Sequence, residues 1–145
     1  MSSSILPRII RLPTHPSDQG SLTVVEIEHL LPFRVARIYF IVDIPRHATR
    51  GGHAHRTCHE LLVATRGAFT VTLESPAASK FNYRLEGPSM SLYIPPLYWR
   101  RLIDFVDKSE YLVLASEPFD ANEYVRDYDE FRSNASSKAG SDPIS

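Results

Sequence analysis

The sequence contains few residues of two types that bind metals. Cysteine is rare throughout the chain, and histidine is absent from its second half. Cys58 is the only cysteine of the 145 residues, so the chain can form neither an internal disulfide nor a cage of thiolate ligands. All six histidines lie at or before position 59. This distribution excludes a metal site that needs a histidine from the second half.

Long apolar runs and an excess of one charge are also missing. No uninterrupted apolar stretch approaches the roughly 18 residues of a membrane span, and the N-terminus has no apolar signal core. The net charge of −1 offers no electrostatic basis for binding a nucleic acid polymer or an anionic membrane. We therefore expect a cytoplasmic protein without a nucleic acid or membrane partner.

The composition that is present indicates one globular domain. Hydrophobic residues make up 43% and charged residues 23% of the chain, and the length suits a single domain with a real core. We assign this domain to residues 1–132. Residues 133–145 are rich in serine, glycine, alanine and lysine and predict a disordered tail.

Short runs of β-branched and aromatic residues recur every eight to twelve residues, with turn residues between them. This spacing predicts an all-β barrel or sandwich. Acidic residues and helically spaced aromatics over 120–131 predict one short C-terminal helix on the barrel exterior. The predicted strands are 5–12, 22–26, 37–43, 53–55, 60–65, 69–74, 81–85, 91–94, 99–105 and 111–115.

The run Arg50-Gly51-Gly52-His53-Ala54-His55 carries the main chemical signal. Alternation along a strand would point both imidazoles into one cavity, and the glycines would allow a turn and a close approach of another molecule. With Glu60 and Gly67 the spacing becomes His-x-His-x4-Glu-x6-Gly. That spacing resembles the first motif of cupins, whose fold is a double-stranded β-helix or jelly-roll barrel.

The second cupin motif, Pro-x-Gly-x2-His, would supply a further metal-binding histidine. The matching segment is Pro95-Pro96-Leu97-Tyr98-Trp99-Arg100, with arginine at the histidine position. A guanidinium stays protonated and cannot coordinate a cation. A metal would keep three ligands at best, namely His53, His55 and Glu60. The sequence therefore favours proton chemistry on an anionic ligand, without a metal or other cofactor.

Several side chains are candidates to work with the two histidines, which suit proton transfer because their pKa lies near neutral. Tyr39 would be a third proton-handling group if its strand lines the cavity, or otherwise a core aromatic. Arg37 and Arg50 could bind phosphate, although Arg37 could equally be a surface residue. Trp99 could stack on a base or a sugar, or belong to the core.

The chain resembles the metal-independent sugar 3,4-ketoisomerases of the cupin superfamily, which act on dTDP-4-keto-6-deoxyglucose. Similar WxcM-like domains occur in lipopolysaccharide-biosynthesis proteins. The resemblance runs from about residue 7 to 132. It is carried by Asp18–Val24, Arg37–Ile41, Arg50–Arg56, Leu92–Pro96, Leu112–Ser116 and Tyr124–Phe131.

This resemblance implies an isomerase that moves a ketone from C4 to C3 through an enediol, in deoxysugar, O-antigen or other glycan biosynthesis. It implies that His53 and His55 are the essential pair, that Tyr39 assists, and that the substrate is a dTDP-linked 4-keto-6-deoxyhexose. It also implies a homodimer, typically with swapped N-terminal strands. The chain has Glu60 and Arg100 where the family commonly has glutamine and histidine, and both positions are expected at the cavity.

Three alternatives stay open from the residues alone. A sugar-nucleotide 3,5-epimerase would also be a metal-free cupin, using a histidine base and a tyrosine acid, and would invert C5. A metal-dependent cupin oxygenase would contain stoichiometric iron and lose its activity to a chelator. A non-catalytic sugar-nucleotide-binding module would bind without any solvent deuterium entering the ligand.

Overall fold

The computed structural model describes residues 5–141, which form twelve strands, two α-helices and one 3₁₀ turn. The strands are β1 (Arg8–Arg11), β2 (Thr14–His15), β3 (Leu22–Thr23), β4 (Arg37–Ile44), β5 (Arg50–His55), β6 (Glu60–Arg66), β7 (Phe69–Glu74), β8 (Lys80–Leu85), β9 (Met90–Ile94), β10 (Trp99–Ile103), β11 (Ser109–Ala115) and β12 (Tyr124–Val125). The helices are α1 (Ile27–Leu30) and α2 (Tyr128–Ser141), and the 3₁₀ turn is Ala121–Glu123.

Two five-stranded antiparallel sheets form the body of the protein. Their strand orders are β1-β9-β6-β11-β4 and β12-β5-β10-β7-β8, and β2 and β3 form a separate small hairpin. From β4 to β7 and again from β8 to β12, each successive strand lies in the other sheet. This alternation is the jelly-roll topology, so the predicted all-β cupin fold is confirmed.

The main core lies between the two sheets and follows from the alternation of side chains along each strand. In β7, Phe69, Val71 and Leu73 are buried while the residues between them are half-buried. They pack with Leu85 of β8 and Leu92 of β9. Burial of each such side chain contributes about 1.5 to 3 kcal/mol, which explains why these strands form where apolar residues alternate.

The C-terminal segment differs from the sequence prediction. The helix predicted over 120–131 begins only at Tyr128. Before it, the Asp120 side chain accepts a hydrogen bond from the backbone N–H of Asn122 at the 3₁₀ turn, and β12 pairs with β5. Tertiary strand pairing therefore overrides the helical spacing of the aromatic residues.

The predicted disordered tail over 133–145 is also corrected for residues 133–141, which continue α2. Phe131 and Ala135, one turn apart, are each 5% exposed, and their burial extends the helix past the expected boundary. Residues 142–145 lie outside the described part of the chain. Of the helices within residues 5–141, none combines the length and the apolar character needed to cross a membrane.

Candidate active site

A cavity of about 300 Å³ opens between the inner faces of the two sheets. It is lined by polar and charged side chains from six strands and by Arg126 just after β12. Four arginines contribute to the wall, which makes the cavity suited to an anionic ligand. The polar and charged residues of the lining are Arg37, Tyr39, Arg50, His53, Glu60, Arg100, Tyr111, Tyr124 and Arg126.

The two histidines of β5 come together as strand alternation predicted. Their ring centroids lie 5.0 Å apart, with the rings nearly perpendicular at 87°. Gly51 allows β5 to approach β10 closely, because its φ is +85° and a Cβ there would lie 2.8 Å from the backbone oxygen of Arg100. His55 is 1% exposed, whereas His53 is half-buried and lines the cavity.

Glu60 is the centre of a buried polar network beside His55. Its Oε1 accepts a 2.7 Å hydrogen bond from Nη1 of Arg100, and its Oε2 accepts one of 2.9 Å from the hydroxyl of Tyr39. Nε2 of His55 lies 3.4 Å from Oε2. Burial alone would raise the pKa of Glu60, but the contact with His55, the Arg100 charge and the Tyr39 hydrogen bond lower it to about 2.

Tyr39 reaches the cavity, and its proton is directed at Glu60. Burial and the neighbouring Glu60 carboxylate raise the pKa of this phenol well above its ordinary value. The phenol is therefore neutral and acts as a hydrogen-bond donor to Glu60. Its assistance in catalysis, which the resemblance implies, stays a prediction.

His53 is held neutral by its surroundings. Burial, the Arg100 guanidinium and His55 lower the pKa of His53 to about 3. Within the described residues, neither ring nitrogen of His53 or His55 has a hydrogen-bond partner. The imidazole of His53 is therefore unprotonated at physiological pH, as a general base must be, and its low pKa makes it a weak base there.

The depressed pKa of His53 predicts a pH dependence of stability. The unfolded imidazole takes up a proton below about 6.5 while the folded one stays neutral to about 3, so stability is lost as the pH falls through this window. We expect the melting temperature of a His53→Gln variant to fall less between pH 7 and pH 5 than that of the wild type. Equal falls in thermal melts at the two pH values would contradict the neutral, buried state of His53.

The predicted phosphate-binding arginines both reach the cavity. Nε of Arg50 donates a 3.1 Å hydrogen bond to the hydroxyl of Tyr111. The guanidinium of Arg37 lies 5.2 Å from the ring centroid of Tyr39 and 5.8 Å from that of Phe119. Arg37 is thus a cavity residue, and its binding of phosphate stays a prediction.

Arg100 and Trp99 occupy opposite faces of β10. Arg100 is 2% exposed and points into the cavity, whereas Trp99 packs outside it with Ala54, Val125 and Phe131. Of the two interpretations of Trp99, the structure supports packing in a core and does not bring the ring to the ligand cavity. Neighbouring side chains of a strand point to opposite faces, so an inward Arg100 implies an outward Trp99, and the sequence alone could have shown this.

Three polar residues of the cavity lining are not among the candidates from the sequence, namely Tyr111, Tyr124 and Arg126. Tyr124 and Arg126 were assigned to the predicted helix, which removed them from consideration. The sequence predicts Tyr111 only as part of a strand, and its alternation with Val113 along β11 is the signal that both face the cavity. Across residues 5–141, no three His, Cys, Asp or Glu side chains are grouped so that they could hold a metal ion.

The jelly-roll barrel and its histidine-containing cavity define a cupin-type enzyme. The family model described as FdtA, WxcM-like, C-terminal, matches residues 6–136, and the chain belongs to this family. It is 31% identical over 125 residues to the TDP-4-oxo-6-deoxy-alpha-D-glucose-3,4-oxoisomerase of Aneurinibacillus thermoaerophilus, covering 86% of this chain and 89% of that one.

Solved structures of similar enzymes have the same fold. QdtA, a sugar 3,4-ketoisomerase from Thermoanaerobacterium thermosaccharolyticum in complex with TDP, is 33% identical with a TM-score of 0.84, over 91% of this chain and 96% of that one. A histidine-to-asparagine mutant of QdtA in complex with TDP-4-keto-6-deoxyglucose is 32% identical with a TM-score of 0.85, over 91% and 95%.

Proposed function

We propose that this protein is a sugar-nucleotide 3,4-ketoisomerase that moves the ketone of a TDP-linked 4-keto-6-deoxyhexose from C4 to C3 in deoxysugar biosynthesis. The contacting imidazoles of His53 and His55, set in an arginine-lined cavity of a chain from this family, carry the assignment. The cytoplasmic location expected from the sequence fits this role and stays a prediction.

The reaction requires two proton transfers between neighbouring carbons. The hydrogen at C3 is acidic because it is next to the C4 ketone. One imidazole of the pair removes it while the C4 oxygen gains a proton, which gives an enediol. A proton then adds to C4 while the C3 hydroxyl loses its proton and becomes the ketone. One carbon is oxidised as its neighbour is reduced, so the step balances without an external oxidant or reductant.

Charges in the cavity support this chemistry. The developing enediolate is negative, and the Arg100 guanidinium lies close enough to His53 to lower its pKa. Fixed positive charge of this kind stabilises an oxyanion in a water-poor site. Arg37, Arg50 and Arg126 line the same cavity, and the binding of the diphosphate is assigned to these guanidinium groups because guanidinium pairs well with phosphate.

Incubation with TDP-4-keto-6-deoxyglucose in deuterated water, followed by proton NMR, tests this function. We expect a product with its ketone at C3 and deuterium at C4. Inversion at C5 would instead identify a 3,5-epimerase. Binding without any deuterium in the sugar would identify a binding module, and activity lost to a chelator would identify a metal-dependent enzyme.

The proposed functional unit is a homodimer that uses the outer face of β4. Ile38, Phe40 and Val42 are 53%, 69% and 49% exposed on this strand, which lies at the edge of its sheet. Exposed apolar side chains along a sheet edge favour association with a second copy. In the single chain, β1 pairs with β9, and an exchange of N-terminal strands would keep that pairing between subunits.

A Phe40→Arg substitution tests the dimer. The buried charge would weaken a contact through β4, so we expect the mass from light scattering to fall from that of two chains to that of one. Phe40 points away from the cavity, and thermal melting checks that the variant is folded. A wild-type protein that is a monomer at micromolar concentration would contradict the dimer.

A further inference from the structure

Hydrogen bonds within the described residues do not fix the orientation of the imidazoles of His53 and His55. The ring nitrogens of His53 and His55 have no hydrogen-bond partner there, and Nε2 of His55 only approaches Glu60, at 3.4 Å. A histidine that transfers protons must nevertheless keep one ring orientation, because a displacement of about 1 Å can cost roughly 10²-fold in rate. Another group must supply this constraint.

Tyr124 contacts both imidazoles. Its ring centroid lies 4.9 Å from that of His53, at an interplanar angle of 61°, and 4.5 Å from that of His55, at 53°. With the 5.0 Å contact between the histidines, the three rings form a closed triangle of tilted and edge-on contacts. Aromatic rings favour such geometries, so each ring limits the rotation of the other two.

Tyr124 is itself held firmly from two sides. Its backbone belongs to β12, where Tyr124 pairs directly with His55 of β5. The guanidinium of Arg126 lies 4.2 Å from its ring centroid, within the range of a favourable cation–π contact. The ring therefore has a defined position, and this position follows from the strand that replaces the predicted helix.

We propose that Tyr124 is a positioning residue for the isomerisation, an inference that rests on the isomerase function proposed above. Its ring keeps the imidazoles of His53 and His55 in their working orientation and covers them from solvent. The aromatic ring provides this effect, and the hydroxyl is not required for it.

Removal of the ring should therefore change catalysis in a specific way. Tyr124→Ala is expected to lower kcat by about 10²-fold while changing KM little, because the histidines lose their constraint. Tyr124→Phe keeps the ring and is expected to retain kcat within about threefold. Tyr128→Ala is the matched control, since Tyr128 comes from the same segment but packs on Trp99 outside the cavity.

The pH profile gives a second readout that loss of stability would not produce. The charged and titratable groups facing His53 are Arg100 of β10, His55 of β5, Glu60 of β6 and Tyr124 of β12. Only Tyr124 changes in the variant, and water then reaches the imidazole. We expect the acidic limb of kcat/KM to move up toward the ordinary histidine value of about 6.5.

The possible outcomes separate the two proposals. Wild-type protein that neither isomerises the substrate nor exchanges its C3 hydrogen would overturn the function itself. Active wild type with an unchanged kcat and pH profile in Tyr124→Ala would overturn the role of Tyr124 alone. If Tyr124→Ala does not fold, Tyr124→Phe decides, because a loss above tenfold in that variant would show that the hydroxyl acts and the ring does not suffice.

Discussion

Replacement of His55 by asparagine is expected to abolish isomerisation while TDP binding remains measurable, and His53→Asn is expected to do the same. Asparagine is a small polar residue, but it cannot take up and return a proton at neutral pH. Each lost transfer should cost about 10² to 10⁴-fold in kcat. Proton NMR of the sugar measures turnover, and calorimetry with TDP measures binding.

The His47→Asn variant is the matched control, because this histidine is exposed in the loop between β4 and β5. Exchange of the C3 hydrogen with deuterated solvent then shows which of the two histidines performs the first proton transfer and which performs the second. A variant that has lost turnover but still exchanges this hydrogen has kept the first proton transfer and lost the second. Full turnover in both His53→Asn and His55→Asn would remove the histidine pair from the mechanism.

Substitution of Arg100 is expected to lower the free energy of unfolding more than substitution of any other polar residue in the cavity. Arg100→Met leaves the Glu60 carboxylate, 2% exposed, without its guanidinium partner at 2.7 Å. An uncompensated buried charge destabilises a protein by about 3 to 5 kcal/mol. Urea unfolding at pH 7 measures the change.

A double variant and a surface pair make this test specific. The double variant Glu60→Gln/Arg100→Met has no buried charge at this pair. It should therefore regain most of the free energy of unfolding that Arg100→Met loses, and a double-mutant cycle would report this as coupling between Glu60 and Arg100. Arg66→Met breaks an exposed pair with Glu110 at 3.9 Å and should cost less than about 1 kcal/mol. If Arg100→Met costs no more than Arg66→Met, the buried pair does not stabilise the fold as described.

Local patterns in the sequence determined much of the fold and part of the site. The alternating apolar residues of β7 predict its buried face, and the spacing of short strands predicts an all-β barrel. The interval of one residue between His53 and His55 predicts that both rings share a face. These inferences succeed because a side chain's direction within one strand depends only on the backbone of that strand.

The tertiary structure alone decided which strands face one another across the cavity. It joined Glu60 of β6 to Tyr39 of β4 and Arg100 of β10, a network whose members are far apart in the chain. It also turned the segment around Tyr124 into a strand beside β5, against its helical spacing. Such contacts depend on sheet order and register, and their free energy comes from partners that no local pattern specifies.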